Sequence, residues 1–270
     1  GAVTGIGYSV FFLALGAIVT VCGVLGCFTL KDKKIEPDRK TAYFQNLIYG
    51  FRPHVVRENK RLYLALAAVC ISSTAFQVFF PYLFIYLGNV LDFSLDSVLA
   101  SLTTGTIVAA AVVIVVAVAL IICMGKLIDR FGKEKFLVFS VVLYFAGLVA
   151  TGFAKNVLTF IICMVPALLG WCLFSVAMNA AVRDFMPQGK VGAFQGIRMI
   201  FSVLIPMVVG PVIGNLVCRV SSVTYTNDYG VVTSAPGAVM FFAAAVVTVF
   251  ILWPVVVLIK KGFQVSEQEK

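Results

Sequence analysis

Seven runs of roughly twenty mostly apolar residues follow one another along this chain, and they leave few folds open. They cover Gly5 to Leu30, Leu62 to Leu87, Thr103 to Met124, Phe136 to Phe153, Leu158 to Asn179, Arg198 to Cys218 and Ala238 to Ile259. A helix needs about 20 such residues to cross the hydrocarbon of a bilayer. Hydrophobic residues make up 61% of the 270 and charged ones only 12%. A soluble core of this size cannot hide so much apolar surface, so lipid has to cover the rest. None of the runs alternates strictly, which disfavours a membrane β-barrel. The expected fold is all-α and integral to the membrane, with seven transmembrane helices.

The basic residues orient these helices. Of the 21 Lys and Arg, nine lie between Lys31 and Arg61, four between Lys126 and Lys135, three between Arg183 and Arg198, and three between Lys260 and Lys270. These four segments fall on one side when the loops are counted alternately, and the other side holds only Lys155 and Arg219. By the positive-inside rule the chain starts outside and ends in the cytoplasm. The net charge of +9 is therefore a topology signal. Because the cations are spread over four loops, a nucleic-acid partner is not indicated.

A seven-helix receptor has the same count and the same external start, and Asp129-Arg130-Phe131 follows the third run on the inside. Three features count against it: a first inner loop of about 30 residues, no N-P-x-x-Y in the seventh run, and no cysteine in the outer loop ahead of the third. A retinal protein is disfavoured because the seventh run has no lysine for a Schiff base.

The turn after the third run reads Gly125-Lys126-Leu127-Ile128-Asp129-Arg130-Phe131-Gly132-Lys133-Glu134-Lys135. Glycine permits its sharp path, Asp129 suits a helix N-terminus, and the cations hold the loop at the cytoplasmic face. It resembles the G-x-x-x-D-R-x-G signature in the short cytoplasmic loops of major facilitator superfamily transporters, with Gly125, Asp129, Arg130, Gly132 and Lys133 on its positions. Glu134 departs from it, since the family usually has a second basic residue there. A looser match, Arg183-Asp184-Phe185-Met186-Pro187-Gln188-Gly189-Lys190-Val191-Gly192, is similar to the family's P-x-x-[KR]-x-G turn before helix eleven. The resemblance extends over essentially the whole chain on these two motifs.

That resemblance implies a secondary transporter of twelve helices in two six-helix halves, both termini inside, working by alternating access. An odd helix count with an external start then reads as truncation. Residues 1–30 would be the last helix of the N-terminal half, 31–61 the central cytoplasmic linker and 62–270 the C-terminal half, with the N-terminal half missing as a partner. The resemblance also implies that helices seven, eight, ten and eleven line the cavity, and that Asp129 and Arg183 form a latch closing the cytoplasmic side. Gly210-Pro211-Val212-Ile213-Gly214 resembles an antiporter G-P-x-x-G run but falls in the equivalent of helix eleven. With Pro206 it predicts instead a kinked helix with a smooth packing face. In the linker, Tyr43, Phe44, Leu47, Ile48 and Phe51 share a helical stripe, as a helix lying at the headgroups would, with Gly50 and Pro53 ending it.

Polar residues inside spans are costly unless they face protein or water, so they mark the candidate site. Ser73 and Gln77 lie one turn apart in the second run, followed by Pro81 and Tyr82, and the fifth places Trp171, Ser175 and Asn179 four apart, on one helix face. Gln77, Trp171, Ser175 and Asn179, with Tyr82 as a fifth, are the candidate substrate-binding residues. Amide and hydroxyl groups beside an indole suit a neutral polyhydroxylated solute, hydrogen-bonding its hydroxyls and flanking its C–H face. The bland alternative for each is an interhelical hydrogen bond or an interfacial aromatic. Arg198 is read as a side chain snorkelling to the headgroups, with contact to an anionic solute as the alternative.

No Asp, Glu, Lys or His lies near the middle of a run, so coupling to H+ or Na+ would need carboxylates from the other half. The seven cysteines have no C-x-x-C spacing and His54 sits in the linker, so no zinc site, other metal, cofactor or enzyme is indicated. The expected function is import of a small polar, sugar-like solute across the plasma membrane, resembling the sugar:cation symporter branch. Efflux of drugs or metabolites by an antiporter is the alternative.

The charge asymmetry predicts a labelling pattern. In a cysteine-free background, single cysteines at Asp96 and Asp228 should react with impermeant maleimide on intact cells, and one at Glu36 should not; the opposite pattern would overturn the topology.

Overall fold

The computed structural model describes residues 2–29, 49–91, 133–187, 191–220, 224–226, 230, 232–234 and 236–260. Residues 1–43 and 44–270 form separate units. The first contains helix α1 (Ala2–Thr29), without a charged residue in its 28 positions. Thr20 and Thr29 donate their hydroxyls to the carbonyls of Gly16 and Leu25, both at 2.8 Å. A hydroxyl in lipid has no water partner, and this back-bond to the preceding turn satisfies it.

The second unit begins with a 3-10 turn (Tyr49–Phe51) and the short α2 (Pro53–Glu58). Pro53 opens that helix, because the first helical turn needs no N–H from it. Residues 43–48 of the expected interfacial helix lie outside the described residues. Then come α3 (Lys60–Phe79), a 3-10 turn (Phe80–Tyr82), α4 (Leu83–Val90), α5 (Lys133–Gly152) and α6 (Val157–Asp184). Next are α7 (Val191–Met199), a π-helical segment (Ile200–Leu204), α8 (Ile205–Cys218), α9 (Val239–Val249) and α10 (Leu252–Lys260).

Among the described residues six helical stretches are long and apolar enough to cross a membrane: Phe12–Thr29, Lys60–Val90, Lys135–Gly152, Val157–Asp184, Phe194–Cys218 and Val239–Lys260. The run expected at 103–124 lies outside the described residues. Two boundaries differ from expectation by about a turn or more. The fifth run continues as helix to Asp184, and the sixth starts at Val191 rather than Arg198. Phe194 and Ile197, each 1% exposed, anchor that extra turn while Gln195 stays exposed.

Proline accounts for most of the interruptions. Pro81 sits in the 3-10 turn between α3 and α4, and Pro254 cannot donate to the Phe250 carbonyl, where α9 gives way to α10. Pro206 follows the π segment, in which the Ile205 N–H reaches five residues back to the Ile200 carbonyl. Breaks of this kind are tolerated in lipid when neighbouring helices and side chains satisfy the freed groups.

Helix α3 is the hub, packing against α6, the π segment, α8, α9 and α10. Its buried Ala65, Ala68, Ser72 and Ala75 are small enough to let several neighbours approach closely. Gly210 and Gly214 do the same for α8: a Cβ on Gly210 would lie 2.8 Å from the Gln77 carbonyl carbon. Across this seam the Tyr82 hydroxyl donates to the Pro211 carbonyl at 3.0 Å. Toward one end of the bundle Tyr86, Phe160 and Phe241 form an aromatic cluster with centroids 5.4 to 5.8 Å apart. Val142, Ile161, Ile162, Val165, Val208 and Val212 are exposed, as side chains facing lipid would be.

Buried hydroxyls mostly follow the rule seen in α1. Thr74, Ser140, Thr151 and Thr248 each donate to the carbonyl four residues back, at 2.7 to 2.9 Å. A hairpin between the last two spans was not anticipated: β1 (Thr224–Thr226) pairs antiparallel with β2 (Val232–Ser234), Tyr225 opposite Thr233. Its β-branched residues and Gly230 at φ 74° supply the strand propensity and the left-handed position.

The α5–α6 pair makes a close backbone approach, and glycine makes it possible. A Cβ on Gly170 would fall 2.8 Å from the Ser140 carbonyl oxygen and 2.8 Å from the Tyr144 Cα. Gly170→Val should therefore destabilise the protein by about 1–3 kcal/mol, read as a lower thermal midpoint in detergent, whereas Gly16→Val, where a Cβ meets nothing within 4 Å, should leave the midpoint unchanged.

Candidate functional site

Three residues of α6, at steps of four, open the site. Trp171, Ser175 and Asn179 are all partly buried, as expected of a face turned neither fully into the core nor into lipid. The Trp171 indole stacks on Phe76 of α3 with centroids 4.2 Å apart and planes 16° apart, and Phe76 stacks on Phe80 at 4.7 Å. Position 171 thus meets an aromatic ladder. Its Nε1 is buried and has no acceptor among the described residues.

At the other end of the face, Asn179 is held from two sides. Its Nδ2 donates to the Ser175 carbonyl at 2.8 Å, which turns Oδ1 outward, and Oδ1 accepts from the Arg198 guanidinium at 3.0 Å. Arg198 belongs to α7, one residue before Met199 caps the π segment. Ser202 within that segment donates to the Arg198 carbonyl at 2.7 Å. Arg198 is partly buried and bonds across to a neighbouring helix. A guanidinium in a span is costly, and an amide oxygen within reach lowers that cost without neutralising the charge.

The other candidates divide. Gln77 is partly buried on α3, its backbone close against Gly210. Tyr82 spends its hydroxyl on Pro211, an interhelical strut worth about 0.6 kcal/mol in a bilayer. Gly125, Asp129, Arg130 and Gly132 lie outside the described residues, and Lys133 is the first residue of α5. Arg183 is exposed in the last turn of α6. The residue least valued in the sequence is Arg198, and the available signal was its place nineteen positions after a span asparagine, which no helical periodicity connects.

Among the described residues no group of three His, Cys, Asp or Glu side chains could hold a metal ion. The arrangement can hydrogen-bond, stack and attract negative charge.

In this multi-pass helical bundle, span-embedded polar groups gather where helices meet. The family model for the Major Facilitator Superfamily matches residues 99–268, more than half of the chain. The chain belongs to that superfamily, whose members are membrane transporters of small molecules. No curated protein matches it.

If Asn179 satisfies Arg198, removing its amide should be felt as an unmet charge. Asn179→Ala should lower stability by about 1–3 kcal/mol, while Asn179→Gln, which keeps the acceptor on a longer arm, should lose less; equal thermal midpoints for Ala and wild type would show that the bond carries nothing.

Proposed function

We propose that this transporter moves a small polar, sugar-like solute across the plasma membrane by alternating access. The observation that carries the reading is the partly buried polar face of α6, where Trp171, Ser175 and Asn179 stand in line with an aromatic ladder at one end and the Arg198 contact at the other. An indole offers a flat apolar surface to the C–H face of a ring, and amide and hydroxyl groups bond its hydroxyls. In this reading Gln77 and Tyr82 add polar groups from α3 and the turn that follows it.

In this reading residues 62–270 act as one six-helix half, and an N-terminal half supplies the facing wall and any carboxylate that couples transport to H+ or Na+. The cytoplasmic side is latched by Asp129 against Arg183, and rocking of the halves breaks that pair. The chain starts outside and ends in the cytoplasm.

Co-expression with a matching half that ends before Gly1 provides the test. The 270-residue chain alone should insert without transport, and the pair should take up solute. Trp171→Ala or Asn179→Leu should then reduce uptake at least about tenfold, equivalent to about 1.4 kcal/mol, with little loss of protein. Asp129→Asn should slow transport and raise the cytoplasmic accessibility of the cavity. Solute transport by the 270 residues alone would refute the two-half reading, and wild-type kinetics in Asp129→Asn would refute the latch.

A further inference from the structure

We infer that the solute carries an anionic group, and that Arg198, steered by Asn179, is the subsite that takes it. The inference rests on the sugar-like reading above and narrows it from a neutral solute to a hydroxylated acid. Arg198 is partly buried within a membrane-crossing stretch, yet among the described residues its guanidinium has no carboxylate within ion-pair distance. Its side-chain partner there is the neutral Asn179 amide at 3.0 Å.

A guanidinium presents five N–H donors in a planar fork, and one amide oxygen occupies only part of it. The rest of the fork suits a carboxylate, which it can hold through two parallel bonds. A full charge in a low-dielectric span attracts an oxyanion far more strongly than it would in water.

Asn179 has a positioning role. With Nδ2 tied to the Ser175 carbonyl at 2.8 Å, its oxygen is aimed at Arg198 and its rotation is restricted. Ser175 and Asn179 share a helix face with Trp171, and eight residues of helix set Trp171 about 12 Å from Asn179 along the axis. Ser175 is only one turn, about 6 Å, from Asn179, so a pyranose ring at Ser175 can direct a carboxylate on its rim toward Arg198. The π segment that begins two residues after Arg198 also places the subsite beside an irregular stretch of backbone, a common location for functional residues.

D-glucose and D-glucuronate form a matched pair of probes, since they differ in a carboxylate replacing a hydroxymethyl group. Calorimetric titration of the intact transporter in lipid nanodiscs should show D-glucuronate binding at least about tenfold more tightly than D-glucose. Arg198→Gln should bring the ratio of the two affinities close to one. Asn179→Asp should do the same in a folded protein, because its carboxylate would occupy the fork from within, and this variant decides the matter where Arg198→Gln fails to fold.

Equal affinities in the wild type, or a preference that survives both substitutions, would overturn the anionic subsite and leave the neutral-sugar reading standing. If neither sugar binds, the sugar-like reading fails, and acetate and succinate decide the subsite separately. Saturable binding of either acid that Arg198→Gln abolishes sustains it, and no binding of either overturns it.

Discussion

A bilayer offers no hydrogen bonds, and the rest of this structure depends on that constraint. Each polar group in a span has to find its partner within the protein or face a water-filled space. Buried Thr74, Ser140, Thr151 and Thr248 solve the problem locally, by returning to the preceding turn. Tyr82 and Arg198 solve it between helices. The Tyr82 bond reaches the carbonyl of Pro211, and the Arg198 bond reaches the amide of Asn179. Apolar burial drives little association between helices already in lipid, so close packing and bonds of this kind hold the bundle together. Glycines allow that packing: Gly170 brings α5 and α6 together, and Gly210 and Gly214 bring α8 to α3.

The same constraint explains why irregular backbone coincides with the candidate site. Pro206 removes a donor from its span, and the helix widens into a π turn over Ile200–Leu204. Such a turn leaves backbone groups less well paired and costs free energy, which a uniformly packed span would avoid. Here it adjoins Arg198, and Ser202 inside it holds the Arg198 carbonyl. Under the proposed alternating access, a helix with a local defect and a charged residue beside it is the element suited to changing shape while its ends stay anchored. The opposite end is anchored by the Tyr82 bond and the glycine seam.

The candidate site combines one continuous helix with one irregular span. Helix α6 is continuous from Val157 to Asp184 and presents its three polar side chains at fixed intervals. Trp171 is held by stacking on Phe76, so its ring plane is set before any solute arrives. The neighbouring span, running from α7 through the π segment into α8, brings charge and an irregular stretch of backbone. Membership of the major facilitator superfamily supplies the transport class. In the proposed site, the side chains at this junction are what would distinguish one solute from another.

Much of this architecture was legible from the sequence because its cause is local. Helix rise and bilayer thickness set the length of an apolar run, so the spans could be counted by inspection and six of them appear among the described residues. The four-residue steps of Trp171, Ser175 and Asn179 place them on one face whatever else the chain does, and the Asp129-Arg130 turn carries its family in its own residues. Tertiary structure decided the rest. Nothing in the sequence near Arg198 indicates that its partner is Asn179, or that Tyr82 would bond to a carbonyl 129 residues away. Those contacts depend on how each helix is rotated and spaced against its neighbours. Rotation and spacing follow from the fit of glycines against particular side chains on another helix, a property of pairs of surfaces that a single run of residues does not contain.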